Sequence, residues 1–365
     1  MHFLIAPDKF KGTLSAEQVA THLARGLESH GHTAACVPAA DGGDGTVAAV
    51  LASGFTEHRS LVTGPHGRPV EAAYALRGTT AVIETAQASG LTLMDPRRPM
   101  PMEATSYGTG ELIRHALDAG ATTIVLGVGG VATTDGGIGM LTALGARFLD
   151  ADGQEVRPGR LEKLEAVEAG GLDPRIGAVE VVLASDVDNP LTGPDGAAAV
   201  YGPQKGAGPD HVRRLDAGLR RLAGLVDPEA ADRPGAGAAG GIGFAAMALL
   251  GAERRPGIDA VLELGPFREE LARADVVVTG EGKADRQTLH GKVAHGVARR
   301  AREAGLETWV VCGVSELSQE QIDEAGFAGV LALTDIEPDP ELCRANAGEL
   351  LDHLAQRLAA RFEES

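Results

Sequence analysis

Short apolar runs that end in a glycine-rich, charged loop and lead into an amphipathic helix occur at both ends of this chain. HFLIAP runs into DKFKGTL and then into AEQVATHLARGLESHG, a helix opened by the capping-box pattern of Ser15 and Gln18. TAACVPA and AADGGDGT repeat the strand and the loop, and Thr46 starts the next helix. Towards the other end, ADVVVTG reads as a strand, EGKADRQT as a loop and GKVAHGVARRAREAG as a helix. ETWVVCGV and FAGVLALTD follow as strands, with Ser318 to Gln321 capping a short helix between them, and ELCRANAGELLDHLAQRLAARFEE reads as one long amphipathic helix. Alternation of this kind predicts a parallel, doubly wound α/β sheet.

The middle has a different grammar. RSLVTGPHGRPVEAAYALRG alternates around turn residues and predicts a β-hairpin. Strands TTIVLGVGG and VEVVLASDVD and the helices SYGTGELIRHALDAG and IGMLTALGA come after it. Neither flank alone holds enough strands for a sheet, and together they do. We therefore expect one α/β domain from residues 1–65 and 268–365 and a second α/β domain, 66–267, inserted into it.

Composition narrows the function. The 365 residues suffice for two domains. Aromatics are only 3%, so the core must be built from Val, Leu, Ile and Ala. The formal net charge of −18 argues against nucleic acid and anionic membrane partners, and obliges any anionic substrate to find local positive charge. Cys36, Cys312 and Cys343 have neither CxxC nor Cys/His ligand spacing, so no zinc site or disulfide framework is expected. No signal-peptide pattern opens the chain and no run has the length of a membrane span; the expected location is cytoplasmic.

Only six of the 33 basic residues are lysines, and five of these sit in glycine-rich segments: Lys9, Lys11, Lys205, Lys283 and Lys292. A compact ammonium beside bare backbone N–H groups is a phosphate cradle. No GxxxxGK[ST] occurs, so the chain has no P-loop. Residues 235–240 match GxGxxG, but the preceding DPEAADRP cannot be a buried strand, which argues against the dinucleotide-binding reading. Asp8, Lys9 and Lys11 follow a strand directly, where two ammoniums suit a carboxylate or a transferring phosphoryl group. In DGGDGT, Asp41 suits Mg²⁺ or a substrate hydroxyl, while Asp44 fits a helix cap as well as a ligand. GVGGVATTDGGIG, with Gly129, Gly130, Thr133, Thr134 and Asp135, has the composition and setting of an anion-binding turn. Asp186 and Asn189 end a strand beside glycine loops, where an acid serves as base or metal ligand. Glu281, Lys283, Asp285, Gln287 and Thr288 cluster after ADVVVTG.

Taken together, APDKFKGTLSA (6–16), DGGDGT (41–46), ETAQASGL (84–91), TSYGTGELI (105–113), GVGGVATTDGGIGML (127–141), SDVDNPLTGP (185–194), YGPQKGA (201–207) and TGEGKADRQTLHGKV (279–293) resemble the bacterial glycerate kinase family, of the type that makes 2-phosphoglycerate. These motifs are long, keep their order and span nearly the whole chain. The resemblance implies a flavodoxin-like domain formed by both chain ends around a second α/β domain. It also implies ATP-dependent phosphorylation of D-glycerate with Mg²⁺. Within that reaction we assign Lys9, Lys11 and Asp186 to catalysis, Asp186 being the acid nearest the hydroxyl, and Asp41 and Glu281 to Mg²⁺. Ser106, Gly129, Gly130, Thr133, Thr134, Asp135, Asn189, Lys205, Lys283, Asp285, Gln287, Thr288 and Lys292 are assigned to substrate or phosphate. Phosphorylation of the 3-hydroxyl, a nucleotide-binding oxidoreductase and a glycerate-responsive regulator remain the alternatives.

Overall fold

A computed structural model describes residues 1–289 and 293–363. Its strands are β1 (His2–Ile5), β2 (Thr33–Cys36), β3 (Thr56–Thr63), β4 (Pro69–Arg77), β5 (Thr80–Glu84), β6 (Thr123–Gly127), β7 (Arg147–Leu149), β8 (Ala166–Glu168), β9 (Glu180–Ala184), β10 (Glu253–Arg255), β11 (Val276–Ala284), β12 (Thr308–Ser315) and β13 (Gly329–Ala332). The chain divides into two compact units.

Unit 1 comprises Met1–Asp41, Ala48–Gly54 and Ile258–Ser365. Its sheet runs β13-β12-β11-β1-β2, every pair parallel. Counted along the chain this is the flavodoxin order 2-1-3-4-5, whose direction of winding reverses between β1 and β11. The two-residue period of β1 shows why the sheet is covered on both sides. Phe3 and Ile5 pack with Val276, Val278 and the helices Ala16–Glu28 and Ala347–Glu363, whereas Leu4 packs with Val277, Ile258, Val293 and Val297. The helix Ala16–Glu28 starts at the expected capping box, Ser15 and Gln18 each accepting the other's backbone N–H. It approaches the last helix so closely that a Cβ on Gly26 would lie 2.4 Å from the Ala355 Cβ.

The C-terminal segment differs from the single helix expected. It is two helices, Pro340–Ala345 and Ala347–Glu363. Asn346 leaves the helical region, with φ −112° and ψ 20°, and Asp339 caps the shorter helix through the N–H groups of Glu341 and Leu342.

Unit 2 comprises Gly42–Val47 and Phe55–Gly257. Its main sheet runs β10-β9-β6-β5-β4-β3. β5, β6, β9 and β10 are parallel, and β3 and β4 form the expected antiparallel hairpin, from Thr56↔Leu76 to Thr63↔Pro69. Because β3 pairs with β4 along its whole length, residues 55–65 belong to this unit. Residues 258–267 belong to unit 1. The passages after Gly54 and after Gly257 thus come earlier than boundaries at 65 and 267, and the short segment 42–47 adds two more before them. The GxGxxG segment is preceded by a short turn at Ala230–Asp232 rather than a strand, and a Cβ on Gly240 would meet the Thr133 carbonyl oxygen at 2.1 Å. Its glycines bring two backbones together. Among the described residues no helix is long and apolar enough to cross a membrane.

Candidate active site

In unit 1 the acids expected near a metal come together at the β1/β11 switch point. The backbone N–H of Asp8 donates to the Gly280 carbonyl at 2.8 Å, carrying the β1–β11 alignment past the end of β1. Thr279 ties the same strands through its hydroxyl to the Ala6 carbonyl at 2.8 Å. Asp8 is half-buried, and its carboxylate accepts the Lys9 N–H at 2.7 Å. Burial pushes the Asp8 carboxyl up to about 7; Asp41 adds to the rise and Glu281 adds less, against the opposing N–H and ammonium of Lys9. A carboxyl held near neutrality by burial and like charge both accepts and returns a proton at working pH. Asp8 was visible in the sequence only as one charged loop residue among several. The feature that sets it apart is the company of Asp41, from the loop after β2, and Glu281.

Glu281 and Lys283 are not in a loop, as expected, but on β11, which continues to Ala284 alongside β12, with Glu281 opposite Cys312 and Lys283 opposite Val314. Glu281 is buried and Lys283 exposed. The Lys283 ammonium sits 2.8 Å from Glu316 and 3.8 Å from Asp285. Asp285 and Thr288 close their own turn: the Thr288 hydroxyl accepts the Asp285 N–H, the Asp285 carboxylate accepts the Gln287 N–H, and the Asp285 carbonyl accepts the Thr288 N–H. Lys11 is exposed. Lys292 lies outside the described residues.

Unit 2 presents its loops at the carboxyl ends of β5, β6 and β9. The segment 42–47 lies directly on them. A Cβ on Gly127 would be 2.3 Å from the Gly42 carbonyl oxygen, so only glycine permits this contact. The buried Glu84 carboxylate, at the end of β5, accepts the N–H groups of Gly45 (3.1 Å) and Val47 (3.2 Å). Glu84 therefore takes the capping role considered for Asp44, which is exposed. The one cue to it in the sequence was a lone charge ending the apolar run AVIE. Gly129 is half-buried and Gly130 exposed, and their N–H groups donate to nothing among the described residues. Asp186 is half-buried and accepts the Gly257 N–H at 2.8 Å through Oδ1. Asn189 is engaged on both sides, donating to the Asp195 carbonyl and accepting the Tyr201 hydroxyl.

In the turn expected to bind an outside anion, the part from 133 to 139 is filled by its own carboxylate. Asp135 is fully buried and accepts the N–H groups of Ser106, Gly137 and Gly139 and the Ser106 hydroxyl, at 2.8–3.2 Å. The Ser106 Oγ accepts the Met140 N–H, and the buried Thr133 hydroxyl donates to the Ala104 carbonyl. Lys205 is buried beside them, its ammonium 2.6 Å from the Thr133 carbonyl and 3.4 Å from the Thr134 hydroxyl. Burial lowers the Lys205 ammonium to about 8, while nearby Asp135 resists the fall. Ser106, Thr133, Thr134, Asp135 and Lys205 thus hold the fold of this loop. Among the described residues no group of three His, Cys, Asp or Glu is arranged to hold a metal ion.

Comparison with known proteins decides the family. The model of the glycerate kinase family matches residues 3–363. This chain belongs to the glycerate kinase family. It is 41% identical to a glycerate kinase of Bacillus subtilis, covering 100% of this chain and 98% of that protein. It is 44% identical to a glycerate 2-kinase of Escherichia coli, over 83% of this chain and 82% of that one. A crystal structure described as a glycerate kinase 2 from Salmonella typhimurium LT2 superposes with a TM-score of 0.87 at 42% identity, covering 100% of this chain and 98% of its own. As a glycerate kinase family member the chain is a phosphotransferase.

Proposed function

We propose that the chain transfers the terminal phosphoryl group of ATP to the 2-hydroxyl of D-glycerate. The observation that carries this reading is the family match over residues 3–363, to which the Asp8 carboxyl beside Asp41, Glu281 and Lys9 adds a candidate proton acceptor. Phosphoryl transfer asks the protein chiefly for positioning and charge neutralisation, with a carboxylate to take the hydroxyl proton. As the hydroxyl oxygen bonds to the γ-phosphorus, its proton passes to Asp8. The bond from that phosphorus to the β–γ bridging oxygen breaks, and ADP leaves. Lys9 offsets negative charge on the transferring group. The proton is assigned to Asp8, whose carboxyl is pushed up to about 7, and Asp186, which accepts the Gly257 N–H, is given an orienting role. In unit 2 the undonated N–H groups of Gly129 and Gly130 suit phosphate oxygens.

Asp41 and Glu281 are the carboxylates that would hold Mg²⁺. Their fit rests on the like charge they place around Asp8, which a cation relieves. Nucleotide-bound Mg²⁺ needs only one or two carboxylates in addition to phosphates, so a cluster of three is not required. When bound, the ion offsets charge on the β- and γ-phosphates. The 2-hydroxyl is favoured by the glycerate 2-kinase among the relatives.

The test is product identification. Purified protein is incubated with ATP, Mg²⁺ and D-glycerate, and the product is read by phosphorus–proton coupling in NMR. The expected product carries phosphate on C2, and turnover stops in excess chelator. Phosphate on C3 would move the reaction to the other hydroxyl, and ligand binding without ATP turnover would favour a regulator.

A further inference from the structure

We propose that unit 2 carries a separate anion-binding cavity, built for a small compound with two phosphate groups. The cavity has a volume of about 910 Å³ and is lined by Arg157, Arg160, Arg214, His66, Tyr107 and Glu103, among others. That volume is at the upper end of small-molecule sites. Three guanidiniums and an imidazole face one carboxylate, in a chain whose formal net charge is −18.

Two of the three arginines are not neutralising local acids. The surrounding segment is rich in carboxylates, yet Glu155 and Glu168 pair with Arg147 and Glu165 with Arg221, outside the cavity, and Glu162 pairs with Arg214. Arg157 and Arg160 form no ion pair among the described residues. A turn, in which the Arg160 N–H donates to the Arg157 carbonyl, holds them three residues apart on one loop. The loop is pressed against its neighbour, since a Cβ on Gly159 would lie 2.1 Å from the Met102 carbonyl oxygen. Arg214 is positioned independently, on the helix Pro209–Val226, by Glu162. His66 lines the same cavity, so its ring reports on a ligand bound there. Guanidinium forks match phosphate oxygens in pairs, and two unpaired forks three residues apart on one loop suit two linked phosphates better than one.

This site uses none of the groups assigned to phosphoryl transfer, so its test separates from that one. Pyrophosphate, without divalent cation, is titrated into wild type and into the double variant Arg157→Gln/Arg160→Gln by calorimetry. In parallel the His66 ring signal, assigned through His66→Gln, is followed by NMR. The expected result is an affinity at least about tenfold weaker in the double variant, with the His66 signal moving in wild type only. KM for ATP and D-glycerate should stay within about twofold, because these residues are outside the reacting groups. Equal affinity in the two proteins, or a His66 signal that ignores pyrophosphate in wild type, overturns the proposal. KM values that rise together with the loss of pyrophosphate binding also overturn it, because the cavity would then belong to the reaction itself. If the double variant does not fold, Arg157→Lys/Arg160→Lys keeps the charge while losing the fork, and the same readouts apply.

Discussion

The Asp8 site of unit 1 and the Asp135 turn of unit 2 each set an aspartate in a loop after an apolar strand, with a lysine close by. Lys9 follows Asp8 directly, whereas Lys205 reaches the glycine-rich Asp135 turn from another segment. Asp135 is surrounded by donors: three backbone N–H groups, a serine hydroxyl and the Lys205 ammonium nearby. Asp8 has one N–H donor and Lys9, and is set against two further carboxylates. One acid has its charge answered within the fold, and the other is crowded by burial and like charge, which push its carboxyl towards the neutral form. A composition search cannot separate the two cases, because the deciding quantity is the sign of the neighbours.

The sharpest way to break this contrast is to neutralise each acid. Asp8→Asn should lower kcat/KM about a thousandfold, within the range for losing a general base. Its stability should move the opposite way with pH. The folded Asp8 titrates near 7 against an ordinary value of 3.8, so wild type is best off below about pH 4 and loses that contribution as pH rises through 7. Melting temperatures should therefore favour the Asn variant increasingly between pH 4 and pH 7. A variant with near-normal turnover would return Asp8 to the ordinary surface acids.

Asp135→Ala should do the reverse, costing about 3 kcal/mol of folding stability by orphaning buried donors. Urea midpoints read this directly. A stable but inactive Asp135→Ala protein would place the turn back among the substrate-binding groups.

The lysines give a smaller, parallel pair. Lys9→Met should cut kcat/KM by about a hundredfold with little change in folding. Lys205→Met should show itself in stability against pH. Buried Lys205 titrates near 8 when folded and near 10.5 when unfolded, so the folded state binds fewer protons in that window. Wild type should gain on the Met variant as pH is raised from 8 towards 10, by about 2 kcal/mol. A difference that stays flat over this range would mean that Lys205 is solvated and open to ligands.

The sequence was most legible where local rules act alone. The capping boxes at Ser15 and Ser318, the β3–β4 hairpin and the strand grammar of both flanks follow from short-range chemistry and are all present. The break at Asn346 was not legible, because the amphipathic period continues across it while the backbone does not. The glycine pairs of the site were legible as glycines but not as pairs. Gly127 is constrained by Gly42, and nothing in either neighbourhood names the other. Lys205 was opaque for the same reason: its glycine-rich segment reads as a phosphate cradle, and its ammonium is buried against the Thr133 carbonyl. Distances across the chain turn residue types into roles, and one sequence contains none of them.

The place of β11 in the unit 1 sheet has a consequence for synthesis. β11 pairs with β1 near the middle of that sheet, and the Thr279 hydroxyl reaches a carbonyl 273 residues earlier in the chain. A ribosome delivers β1 and β2 first and β11 only after the whole of unit 2. For that interval the two early strands have no partner on the β11 side, while unit 2 can complete its own sheet. Translation stalled before Val276 should yield a folded middle carrying a sticky amino-terminal arm, a natural client for a chaperone. The last quarter of the message would decide whether the first residues read ever find their structure.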